Sequence, residues 1–220
     1  MNSPVKIGVI AGTPVDTEMG VDFVKKHGFE AIGYATACSP EEQNRLQFLE
    51  PEYLTQKVID IIRDFETQSI YRTMIYCNSL SSAIDIKFIR SKQPNSIIVT
   101  PLDIYQNLAT KYNKITIWAA NGQCLSTIEY IFYKQNPAID IMGMSMLPVI
   151  KAIEERKPPA TIIDKFDLIS LGIERFDADC LILGCTHLPY LQAELSKRLT
   201  FPIIDPALEM LKLLTSSCPG

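Results

Sequence analysis

The chain has 220 residues, 47% hydrophobic and 21% charged, enough apolar side chains for a substantial core. Its net charge of −4 and pI of about 5.3 argue against nucleic acid or an anionic membrane surface as a partner. The first apolar run, Ile7 to Ala11, is cut by Gly12 and Pro14 and lacks a signal-peptide layout. No stretch reaches the roughly 18 apolar residues of a membrane span. A cytoplasmic location is expected.

Taken in order, short apolar runs bounded by Gly, Pro, Asn or Ser predict strands at 5–11, 30–35, 72–76 and 96–99. Four more follow at 114–119, 138–142, 179–183 and 202–204. Helices are predicted between them. Residues 51–66 place Leu54, Val58, Ile61, Ile62 and Phe65 at helical spacing, with Pro51 near the start. Similar patterns occupy 80–90, 124–135, 145–157 and 188–199. Alternation of β and α predicts mainly parallel sheets covered on both faces.

The pattern is written twice. Lys6-Ile7-Gly8-Val9-Ile10-Ala11 resembles Lys114-Ile115-Thr116-Ile117-Trp118-Ala119 at a shift of 108. The same shift carries Cys77 onto Cys185 and Pro40 onto Pro148. In both copies an apolar run ends at Cys and small polar residues follow. The expected architecture is two pseudo-symmetric α/β domains with the active site in the cleft between them. The first spans 1–95 plus 200–220 and carries Cys77; the second spans 96–199 and carries Cys185.

Six cysteines stand at 38, 77, 124, 180, 185 and 218, with no CxxC pair, so a disulfide framework is not expected. Cys124 and Cys180 read as core residues, Cys38 as part of a loop and Cys218 as part of the tail. Zinc at Cys77, Cys185 and His187 is disfavoured by the lack of close Cys pairs. No metal and no cofactor are expected.

Cys77 and Cys185 are each expected where a strand ends and a helix begins, where free N–H groups stabilise a thiolate and hold a carboxylate. In open α/β sheets the ligand site lies beyond the carboxyl ends of the strands. Two thiols on opposite sides of one amino acid suit inversion at Cα, one removing the proton and the other returning one. Cysteine at a strand end is more often packing than chemistry, so the repeat-related pair is the argument.

Cys77-Asn78-Ser79 and Leu183-Gly184-Cys185-Thr186-His187-Leu188-Pro189 resemble the paired cysteine motifs of the aspartate/glutamate racemase superfamily. Ala119-Ala120-Asn121-Gly122-Gln123-Cys124-Leu125-Ser126 is similar to its Ala-Thr-x-Gly-Thr-x-x-Ser segment, and Ile204-Asp205-Pro206 to its closing strand. The second Cys motif leans to glutamate racemases. Gly12-Thr13-Pro14-Val15-Asp16-Thr17 and Ser39-Pro40-Glu41-Glu42-Gln43-Asn44-Arg45 lean to aspartate racemases. The glutamate pattern would place Asp at Ala11, Ser at Gly12, Tyr-Gly at Glu41-Glu42 and Glu at Lys151.

The resemblance implies a cofactor-independent racemase of aspartate or glutamate with Cys77 and Cys185 catalytic. His187 and Asp16 are the candidate supports. Thr13, Asn78, Ser79, Asn121, Gln123, Thr186 and Arg45 are candidate substrate contacts, with Lys151 a weaker one. Arg45 is the candidate for the side-chain carboxylate, and Asp16 has a helix-cap role as its alternative. His27 reads as a helix-end charge. Rival readings are a related isomerase or hydantoin-type racemase, or a non-catalytic amino-acid binder. The only expected partner is the small-molecule amino acid, with a homodimer left open.

Overall fold

From Ile7 onward, strand β1 (Lys6–Ala11) is buried at every position, as a parallel strand covered on both faces must be. The computed structural model describes residues 5–170 and 176–216. In it β1 lies beside β2 (Glu30–Ala35), β3 (Arg72–Ile75) and β4 (Ile97–Val99) in a parallel sheet of order β2-β1-β3-β4. The crossovers are α1 (Pro14–Lys26), α2 (Pro40–Leu49), α3 (Pro51–Thr67), α4 (Asn78–Ala83) and α5 (Ile86–Lys92). Leu54, Val58, Ile62 and Phe65 of α3 enter one core cluster with Ile10, Ile75, Leu80 and Ile89.

The second sheet follows α6 (Pro101–Leu108). It contains β5 (Lys114–Ala119), β6 (Asp140–Ser145), β7 (Cys180–Gly184) and β8 (Ile203–Ile204), all parallel, in the order β6-β5-β7-β8. Its helices are α7 (Gly122–Gln135), α8 (Leu147–Glu154), α9 (Pro159–Lys165) and α10 (Pro189–Leu195). The strand order thus repeats that of the first sheet, and so does the register. Gly8, Val9 and Ile10 face Thr73, Met74 and Ile75; Thr116, Ile117 and Trp118 face Leu181, Ile182 and Leu183. A shift of 108 carries the first three pairs onto the second three.

Packing divides the chain into two units, one of residues up to Pro101 with those from Ala207 on, the other Leu102–Pro206. The crossings were expected at 95–96 and 199–200. They fall a few residues later because β4 pairs with β3, and β8 with β7. Helix α11 (Ala207–Ser216) packs on β3 and β4, where Arg72 Nε donates to the Leu214 carbonyl at 2.9 Å. Cys218 lies outside the described residues.

Local differences from the sequence reading have local causes. The helix expected at 80–90 is two, because Asp85 starts a new one by accepting from Phe88 N at 2.9 Å. The strand expected at 138–142 starts two residues later. Asn136 uses the intervening residues for a turn, its Oδ1 accepting from Ala138 N at 3.2 Å. His27 ends α1, its Nδ1 lying 2.8 Å from the Phe23 carbonyl, with Gly28 following at φ +88. Among the described residues, no helix is long and apolar enough to cross a membrane.

Gly8 marks a close strand–helix approach in the first unit, since a Cβ there would fall within the van der Waals envelope of the buried Phe65 ring. Gly8→Ala is expected to lower stability by about 1–3 kcal/mol, the usual range for overpacking. The urea midpoint reads it; an unchanged midpoint would mean that α3 yields freely.

Candidate active site

In the first unit, Cys77 follows the end of β3 and is the N-cap of α4, its Sγ accepting from Leu80 N at 3.5 Å. Helix α2 supplies its neighbours. Ser39 Oγ accepts from Glu42 N at 3.2 Å, Pro40 takes the first helical position, and the Glu42 carboxylate accepts from Cys38 N at 2.7 Å. That backbone bond is the main reason the Glu42 carboxyl lies below its ordinary range. So anchored, α2 buries Pro40, Gln43, Leu46 and Gln47. Gln43 Nε2 donates to Cys77 Sγ at 3.1 Å and to Ser79 Oγ at 3.0 Å, and Gln47 Nε2 donates to Ser79 Oγ at 3.1 Å.

The turn after β1 is built by Thr13 and Asp16. Thr13 N-caps α1, accepting from Asp16 N at 3.2 Å, and Asp16 Oδ2 accepts from Gly12 N at 3.3 Å. Both residues are fully buried. The cap is therefore Thr13, and the Asp16 carboxylate secures the turn from the third helical position. Asn78 opens α4 and is buried. Arg45 goes elsewhere. It lies on the outer face of α2, its side chain 52% exposed and paired with Glu50 at 2.5 Å.

In the second unit, Cys185 follows β7 directly, but α10 begins only at Pro189. Residues 185–188 form a turn in which Leu188 N donates to the Cys185 carbonyl at 3.0 Å. A helix N-terminus at Cys185 was expected and is not found, because Pro189 sets the helix start four residues on. The neighbour of the sulfur is His187, whose Nδ1 lies 3.6 Å from Cys185 Sγ. His187 Nε2 in turn lies 2.7 Å from Glu154 Oε1, with the imidazole only 2% exposed and the carboxylate 14%. An ionised carboxylate only accepts, so a neutral His187 carries its ring hydrogen on Nε2 and turns Nδ1, an acceptor, toward the Cys185 thiol.

Asn121 repeats the role of Thr13, to which the shift of 108 relates it: it N-caps α7, accepting from Cys124 N at 2.9 Å. Cys124 Sγ donates to the Gly184 carbonyl at 3.6 Å. Thr186 Oγ1 and Gln123 Oε1 are buried atoms without a hydrogen-bond partner. Tyr105, fully buried, has its phenol pushed well up, first by burial and then by Cys124, Asp205 and Cys185. Lys151 lies on α8. Among the described residues no group of three or more His, Cys, Asp or Glu side chains is placed to hold a metal ion.

Three residues of these clusters escaped the sequence reading: Gln43, Gln47 and Glu154. The signal for the first two was polar side chains four apart on a helix face that also carries Pro40 and Leu46. For Glu154 it was an acid one helical turn beyond Lys151.

No family model matches the chain. The glutamate racemase of Limosilactobacillus reuteri is 25% identical over 172 residues, 73% of this chain. The chain spans 62% of that relative's length. Among solved structures, the glutamate racemase of Francisella tularensis, determined with D-glutamate, superposes with a TM-score of 0.72 at 16% identity, covering 96% of this chain and 80% of that one. The aspartate racemase of Picrophilus torridus gives 0.70 at 16% identity, covering 96% and 93%. Likeness at this identity speaks to architecture: the chain shares the fold of these racemases. Sequence and fold together bear out the resemblance to the aspartate/glutamate racemase superfamily.

Proposed function

We propose that the protein is a cofactor-independent racemase of an acidic amino acid, aspartate or glutamate, with Cys77 and Cys185 as its two acid/base groups. The observation that carries this reading is that the two repeat-related cysteines follow equivalent strands, each with dedicated polar neighbours around its sulfur. One sulfur works on each face of the substrate Cα. In one direction the Cys77 thiolate removes the proton while the Cys185 thiol delivers another. In the reverse direction His187 Nδ1 takes the Cys185 proton, and Glu154 stabilises the resulting imidazolium. The thiolate so formed removes the Cα proton of the opposite enantiomer, and Cys77, in its protonated form in this direction, delivers its thiol proton to the other face. Within the second unit, the unpartnered Thr186 hydroxyl suits the substrate carboxylate and Gln123 Oε1 the ammonium. Asn78 and Asn121 are further proposed contacts.

The Cα–H bond is weakly acidic, so the charge that develops on the carboxylate must be met by fixed donors. A screen of both enantiomers of the common amino acids in deuterated water tests the proposal. The expected result is deuterium at Cα and loss of optical rotation with aspartate or glutamate, no cofactor being added. Tight binding of an amino acid with no exchange would instead make the protein a binder and end the catalytic reading.

A further inference from the structure

We infer that Gln43 is a positioning residue that holds Cys77 as a thiolate, acting directly and through Ser79. The hydrogen count leads there. The Gln43 amide has two hydrogens, and Nε2 reaches Cys77 Sγ at 3.1 Å and Ser79 Oγ at 3.0 Å. Ser79 Oγ also accepts from Gln47 Nε2 at 3.1 Å, which fills both of its lone pairs. The Ser79 hydrogen is then left to donate, and Cys77 Sγ stands 3.5 Å away. Leu80 N, also at 3.5 Å, adds a backbone donor at the start of α4. Three donors thus converge on one sulfur. A thiol is a weak acceptor and a thiolate a strong one, so such a cradle favours the charged form.

Burial by itself acts the other way. Cys180, buried in β7, has its thiol pushed up to about 12, chiefly by burial. Cys77 is also buried, at 2% exposure, and the donors of α2 oppose that cost. The arrangement needs Gly12. A Cβ at that position would collide with the Gln43 carboxamide, so a bare backbone at the end of β1 is what lets α2 bring the amide to the sulfur. The Ser39 and Glu42 caps fix the helix in that place. For its catalytic consequence the inference rests on the two-thiol reading: a resting Cys77 thiolate selects the enantiomer whose Cα hydrogen faces Cys77.

The test reads protonation in the full chain without substrate. Thiolate absorbance at 240 nm is followed against pH, and subtraction of the Cys77→Ser titration isolates Cys77. The wild-type midpoint is expected below the ordinary thiol value of about 8.5. Gln43→Leu removes both amide hydrogens and should raise it by about one unit or more. Gln43→Glu keeps the volume but presents a carboxylate, and should raise it as well. Both variants are checked by circular dichroism; if leucine prevents folding, the glutamate variant decides. A wild-type midpoint at or above the ordinary value, or one that neither substitution moves, overturns the inference. Because no amino acid is present, a protein that racemises nothing still answers, and racemisation with an unmoved midpoint sinks this inference alone.

Discussion

Replacing either cysteine by serine is expected to lower kcat/KM for racemisation about 10³-fold, within the range a positioned acid/base group supplies. Serine keeps the size of the side chain but has neither the acidity of a thiol nor the basicity needed at neutral pH. The loss must be equal in the two directions, because enantiomers have the same free energy in water and kcat/KM is tied to an equilibrium constant of one. Asymmetry appears only in exchange. Cys77→Ser keeps the Cys185 base and should still wash solvent deuterium into one enantiomer without inverting it; Cys185→Ser should do so with the other. Polarimetry reads the first effect and proton NMR at Cα the second. A single variant that racemises at near wild-type rates would show that one thiol suffices, and the two-base scheme would fail.

How much of this was legible beforehand depends on where each signal resides. The sheets were, because central parallel strands are buried on both faces and must read as apolar runs, as Ile7–Ala11 and Ile115–Ala119 do. The paired cysteines were legible because a repeat preserves register, and the matching β1·β3 and β5·β7 pairs preserve it residue for residue. The neighbours of the sulfurs were not. Arg45 is the residue the sequence offers for the substrate, because a cation suits a carboxylate. Two residues along a helix is about 200° of rotation, so the residue facing Cys77 when Arg45 faces water is Gln43. The apolar residues on the inner face of α2 are few, Pro40 and Leu46 among them, and the room for the Gln43 amide is made by the bare backbone of Gly12, far away in sequence. The helix start after Cys185 was misplaced for a related reason. Pro189 belongs to the motif around Cys185 and also takes the first helical position, which fixes where the helix can begin.

Glu154 supplies the second large effect. The missing acid at Lys151 pointed away from a glutamate-type site, yet three residues further along the same helix a carboxylate reaches His187. Glu154→Gln tests what its charge does. The glutamine Oε1 can still accept from His187 Nε2, so the imidazole keeps its tautomer and orientation while the neighbouring negative charge is gone. The imidazolium formed when Cys185 gives up its proton then loses its stabilising partner. The expected result is a fall in kcat of about 10²-fold. KM should change little, since Glu154 acts through the histidine. Thermal stability should stay close to wild type. Glu154→Ala behaves differently: it leaves the His187 ring nitrogen, 2% exposed, without its acceptor, and stability should drop by about 1–3 kcal/mol as well. Steady-state kinetics paired with melting curves for the two variants separate charge from geometry. If glutamine matched wild type in kcat while alanine lost both activity and stability, Glu154 would only hold the ring in place, and the proton would reach Cys185 by another route.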